Sequence, residues 1–162
     1  MMGQYTQLLQ LKPSELAGLK REELYIRFYP ADGAAGDHLI DLDKSLPGIQ
    51  FLLSGNVDSE NPYQNLLNGE IIPPSEEEGT GVTYHILTPV EIEKLDRLLL
   101  AIDDSDFQQN YDPLVMMASN VYPDIWANGR ESYDYLYTHF RGLKSFISKA
   151  AYDSNVIVVM TT

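Results

Sequence analysis

Asn155 to Thr161 reads NVIVVMT, a nearly unbroken apolar run, and it follows a long amphipathic stretch with only a short turn between them. A strand that is apolar on both faces has to sit inside a sheet that is covered on both sides. The pattern therefore predicts a buried, central C-terminal strand. The stretch before it, Glu131 to Ala151, repeats Tyr133, Leu136, Tyr137, Phe140, Leu143, Ile147 and Ala151 at helical spacing. That stripe is wide enough to dock on a sheet or on another helix. Arg141, Lys144 and Lys149 lie toward its C-terminus, where positive charge complements the helix dipole.

Two more strands are read from composition: Tyr5 to Leu11, bounded by Lys12-Pro13, and Val82 to Leu87, rich in β-branched and aromatic residues. Pro13 suits a first helical turn, and Leu16, Leu19, Leu24 and Phe28 predict one loose helix that stops at Tyr29-Pro30. Thr88-Pro89-Val90-Glu91 is the sharpest local signal. Thr88 caps, Pro89 takes the first helical position and Glu91 closes a capping box. Ile92, Leu95, Leu98, Leu99 and Ile102 then form one face. Asp103 to Asp106 is read as the start of the next helix, and Asp112-Pro113 repeats the cap-then-proline device through Ala118.

The run LIDLDKSLPGIQFLLSG, Leu39 to Gly55, is a short apolar approach, a cap at Asp43, an amphipathic helix and a glycine stop. A short helix is expected from Pro62 to Leu67, and a solvated loop from Ile72 to Gly81 with its three glutamates. Ala31 to Gly36 reads as a turn, because neither G-x-G-x-x-G nor GK[ST] is present. No linker or internal repeat divides residues 1–162. The expectation is a mixed α/β fold in a single compact domain, several helices packed around a small sheet of three strands.

Charge narrows the partners. The chain carries 24 acidic and 11 basic side chains, a net of −13. Nucleic-acid binding depends on Lys and Arg displacing counterions, and so acidic a surface repels phosphate and anionic membranes alike. Cationic proteins remain, as do small ligands in a pocket whose local field differs from the average. The chain has no cysteine, so thiolate catalysis and sulfur-ligated zinc are excluded. No signal peptide or membrane-length apolar run is visible, and the chain reads as cytoplasmic.

His38, His85 and His139 are the only histidines and fall on three separate elements, so none has a second histidine at metal-ligand spacing. No serine sits in a G-x-S-x-G elbow. No cofactor is implied and no metal set is expected. The nearest acidic constellation is Asp41 and Asp43 beside Lys44. In an extended segment the two carboxylates share one side.

The segments MGQYTQLL, LIDLDKSLPGIQFLLSG, NPYQNLLNGE, VTYHILTPVEI, YPDIW and YLYTHFRGLKSFISKAA, in that order along nearly the whole chain, resemble the YfbM-like family. This is a bacterial family described only as a domain of unknown function. The resemblance implies a compact α/β domain and no established activity, cofactor or catalytic residue. In that family the helix after Asp43-Lys44 usually carries tryptophan and histidine where this chain has Leu46 and Gln50. Chemistry that relied on that histidine would be absent here.

Two functional readings follow. The favoured one is a non-enzymatic acidic interaction module, with immunity or inhibitor action on a cationic protein as its specific version, using loop aromatics such as Tyr122 and Trp126. Weighed against exposure, the stronger expectation for Trp126 itself is a ring folded inward that closes the core beneath the YPDIW turn. The other is a small-molecule-binding domain or enzyme whose site gathers Asp41, Asp43, Lys44, Tyr84, His85, Asp124 and Trp126 from loops and strand ends.

Overall fold

The computed structural model of the protein describes residues 4–33, 36–54, 63, 66–74 and 81–162. The strands β1 (Thr6–Leu11), β2 (Leu39–Asp41), β3 (Glu70–Ile71), β4 (Thr83–Leu87) and β5 (Val156–Thr161) form one antiparallel sheet in the order β2-β1-β5-β4-β3. β5 is central as expected. It pairs with β1 from Thr6↔Thr161 to Leu11↔Val156, and with β4 from Thr83↔Thr161 to Leu87↔Ile157. Among the described residues five strands replace the expected three. The two additions are edge strands of three and two residues, too short for a two-residue periodicity to register.

Every residue of β5 from Val156 to Met160 is buried, because helices cover both faces of the sheet. Ile157 and Val159 join Leu8 and Leu87 under α3 (Leu46–Ser54), α4 (Pro89–Leu100) and α7 (Arg130–Tyr152). Val156, Val158 and Met160 join Leu9, Leu11 and Tyr84 beneath Leu24 and Phe28 of α2 (Arg21–Phe28). The helix expected to run unbroken from Pro13 is two helices, α1 (Pro13–Ala17) and α2. Gly18 ends α1, its N–H bonded to Glu15 O, and the chain restarts at extended Lys20, whose N–H is accepted by Glu23 Oε2 at 2.8 Å.

α7 is tied laterally by polar contacts as well as by its apolar stripe. Lys144 Nζ donates to Ile102 O at 2.8 Å, Ser148 Oγ donates to Asp96 Oδ1 and Tyr137 OH donates to Asp104 Oδ2 at 2.8 Å. These bonds hold α4 and the start of α5 (Asp104–Gln109) against it.

Of the acidic and hydroxyl helix starts read from the sequence, those at Thr88, Asp103 and Asp112 form. Thr88 Oγ1 accepts from Glu91 N–H at 3.3 Å while Glu91 Oε2 accepts from Thr88 N–H at 2.7 Å. Asp103 accepts from Asp106 N–H at 2.8 Å, and Asp112 accepts from Leu114 and Val115 N–H at the start of α6 (Pro113–Ala118). Thr88 is exposed, so Thr88→Ala tests the cap without disturbing packing. Its denaturant midpoint should fall by the equivalent of about 1 kcal/mol. An unchanged midpoint would show that the reciprocal bonds contribute nothing.

The expected Gly55 stop, most of the Pro62 to Leu67 helix and residues 75–80 of the glutamate loop lie outside the described residues. No helix among the described residues is long and apolar enough to cross a membrane.

Candidate functional site

Three of the residues expected at a site do meet, in the turn that joins β2 to α3. Leu42 N–H donates to Thr6 O at 2.9 Å and Thr6 N–H donates to Asp43 O at 3.0 Å. Two residues thus face one, an arrangement of the β-bulge kind that ends pairing and bends the chain. Asp43 turns the corner with φ +50°, a left-handed conformation that aspartate tolerates better than most residues. It therefore does not cap α3 as expected. Ser45 stands at that end instead, its Oγ donating to Leu42 O at 2.6 Å and its carbonyl accepting from Ile49 N–H.

The carboxylates brace this turn. Asp41 Oδ1 accepts from Asp43 N–H at 2.7 Å, and Asp41 Oδ2 accepts from Gln7 Nε2 at 3.3 Å. From α7, Tyr135 OH donates to Asp43 Oδ2 at 2.9 Å and accepts from Lys44 N–H at 3.1 Å. Burial, then the hydrogen bond to the Asp43 carboxylate, pushes the Tyr135 phenol far above its ordinary range. His139 sits one turn further on, its ring edge-on to Tyr135 at 4.6 Å between centroids. Lys44 Nζ lies 4.9 Å from the Tyr5 ring centroid, and hydrogen bonding to Tyr5 and the field of Tyr122 raise its pKa. A phenol held this firmly protonated is no general base near neutral pH. Chemically the cluster is a clamp that locks a bulged turn to the longest helix.

The other expected residues are elsewhere. Tyr84 is buried on the α2 face, with Phe28 at 6.1 Å and the Arg21 guanidinium 4.8 Å from its ring centroid. His85 points to the opposite face, as adjacent strand residues must, and its Nδ1 is 3.2 Å from Gly69 O. Asp124 is exposed in the turn after the cis Tyr122–Pro123 bond. Trp126 corrects the expectation of an exposed loop aromatic. It is 1% exposed, with its ring seated against Gly48 of α3, and Nε1 donates to Val121 O at 2.7 Å. Tyr122 is half-buried rather than free. Among the described residues no three of His, Asp and Glu converge as a metal set.

A cleft of about 1050 Å³ lies at the C-terminal end of β1. Gln10 to Lys12, Arg27 of α2, the Pro30 to Asp32 segment, His38, Asp153 and Asn155 line it, and none of the expected site residues does. One sequence signal pointed there. Gln10 interrupts the apolar run of β1, and it is 1% exposed.

The chain belongs to the family described as a domain of unknown function (DUF1877), whose model matches residues 2–160. Its fold is similar to the crystal structure of YfbM, a protein of unknown function from Escherichia coli. That match has a TM-score of 0.66 at 12% identity and covers 98% of this chain and 99% of that one. The YfbM-like resemblance and the mixed α/β fold are thereby shown, and the family carries no assigned activity. No curated protein matches the chain.

The clamp has a pH signature. Burial is also the first cause of raised pKa values at Tyr29, Tyr111 and Tyr133. A tyrosine whose pKa is higher in the folded state holds its proton more tightly there. Its stabilisation is complete below the unfolded pKa of about 10 and is lost as pH rises above it. Stability should therefore decline in alkali, and less steeply for Tyr135→Phe, which has no phenol to ionise there. Denaturant midpoints followed upward from about pH 10 test this, and parallel profiles for the two proteins would contradict it.

Proposed function

We propose that this protein is a non-catalytic interaction module of the cytoplasm that binds a cationic protein through an aromatic, acidic face built from Tyr5, Tyr25, Tyr29 and Asp41. The observation that carries this reading is the exposure of the three tyrosines, 44%, 53% and 47% respectively, on a chain of net charge −13. Tyr25 and Tyr29 lie 4.9 Å apart between ring centroids, with Asp41 and Gln7 near the Tyr29 hydroxyl. Tyr5 precedes Gln7 by two residues, so it faces the same side of the extended chain. Tyrosines offer flat faces to Arg and Lys side chains, and the acidic surround steers a basic partner to them. Neutralisation of a basic enzyme or toxin is the particular version of this role that the charge favours. The scatter of the alternative catalytic set over both faces of the sheet supports binding rather than catalysis.

The test is capture at low ionic strength followed by a salt series, with wild-type protein beside a Tyr25→Ala/Tyr29→Ala/Asp41→Asn variant. A basic protein retained by the wild type, released as salt rises and not retained by the variant is the expected result. Screening at about 0.1 M salt already limits charge interactions to about 10 Å, so the release should be steep. Retention that ignores both salt and the substitutions would overturn the reading, as would no retained protein at all.

A further inference from the structure

We propose that the cleft at the C-terminal end of β1 binds a small zwitterion carrying both a carboxylate and an ammonium group, of the amino-acid or short-peptide class. This site is separate from the tyrosine face and does not depend on it.

The first observation is an orphaned donor. Gln10 lines the cleft and is 1% exposed. Its Oε1 accepts from Asn155 Nδ2 at 2.9 Å, while its Nε2 is buried with no hydrogen-bond partner. A buried N–H left without an acceptor costs stability, and a ligand oxygen would remove that cost. Asn155, 6% exposed, lines the same cleft, so the pair presents an amide surface at its wall.

Size and charge supply the rest. About 1050 Å³ matches the upper range of small-molecule sites. The lining carries both signs, with Lys12 and Arg27 on one hand and Glu15, Asp32 and Asp153 on the other. Lys12 makes no ion pair among the described residues. Among the described residues Arg27 has a single long one, Nη1 to Glu15 Oε2 at 3.9 Å, with both side chains exposed, at 47% and 41%. Most of the guanidinium fork therefore remains available for a carboxylate, its best geometric match. A simple anion would have to enter against the field of a chain of net charge −13. A simple cation would leave the Gln10 donor, Lys12 and Arg27 unmatched. A zwitterion answers both signs and adds no net charge.

The experiment is an amide-resolved NMR titration of the full chain with L-alanyl-L-alanine, beside N-acetyl-L-alanine, which lacks the ammonium, and L-alaninamide, which lacks the carboxylate. The dipeptide should shift the side-chain amide signals of Gln10 and Asn155 saturably. Loss of either charge should weaken binding by about tenfold or more. Arg27→Gln, a substitution on the open rim, should weaken dipeptide binding to a similar degree, whereas Tyr25→Ala should leave it unchanged. The proposal is overturned if the Gln10 and Asn155 signals stay still, if all three compounds bind alike, or if Arg27→Gln binds as the wild type does.

Discussion

Trp126→Ala is expected to lower stability by about 3–5 kcal/mol, the range for deleting a large aromatic from a core. The indole is 1% exposed and lies within the cluster that joins α3, α6 and α7 to the inner face of the sheet. The chain begins a single 3₁₀ turn at this residue, Trp126–Asn128, just before α7. Removing the ring therefore opens a cavity where three elements meet, and it leaves Val121 O without its donor. Tryptophan emission of the wild type should be blue-shifted and resist aqueous quenchers, since this is the only tryptophan in the chain. Red-shifted, readily quenched emission with a small loss of stability would return the YPDIW turn to the candidate binding surfaces.

Gly48→Val should also be strongly damaging, at about 3 kcal/mol, the upper end of ordinary overpacking. A Cβ at this position would lie 2.7 Å from Leu136 Cδ2 and 2.8 Å from Trp126 Cη2, closer than real side chains approach. Both neighbours are fully packed, so neither can swing aside into solvent. Valine gains little helix propensity to offset the collision, unlike alanine, which recovers about 1 kcal/mol relative to glycine. The same contact predicts coupling. In a Trp126→Ala background one of the colliding groups is gone, so Gly48→Val should cost less there than in the wild type, by about 0.5–3 kcal/mol. Denaturant unfolding of the four proteins of that cycle measures it, and additive losses would show that Gly48 and Trp126 do not touch.

Where local chemistry decides structure, the sequence was readable. The capping pairs of Thr88, Asp103 and Asp112 span three residues or fewer, and β5 announces its burial in consecutive apolar side chains. Edge strands β2 and β3 were not readable, since two or three residues carry no period and their pairing is decided by partners far along the chain. Asp43 was misread for a physical reason. A short carboxylate before a helix serves equally as a cap or as a left-handed corner, and the corner is held here by Asp41, by Thr6 and by Tyr135, 92 residues away. Trp126 could be read both ways, exposed in a turn-rich stretch or folded inward beneath the turn, and the inward reading is the one that holds. The cleft depends on a contact between side chains from opposite ends of the described fold. Gln10 and Asn155 are 145 residues apart and hydrogen-bonded, a pairing that spacing along the chain cannot disclose.

The pairing of β1 with β5 governs the order in which the molecule can be assembled. β1 is the first described strand and β5 the last, yet they are neighbours at the heart of the sheet, with Tyr5 and Thr162 exchanging both backbone hydrogen bonds. As the chain emerges in synthesis, β1 can pair only with the three residues of β2, and β4 only with the two of β3. The two halves of the sheet stay apart, each with one long edge open, until the last strand slides between them. Closing so long a loop is slow compared with forming a helix, so completion of this sheet waits on β5. The same adjacency means that the backbone could be joined at Tyr5 and Thr162 and reopened in a surface loop with the sheet order intact.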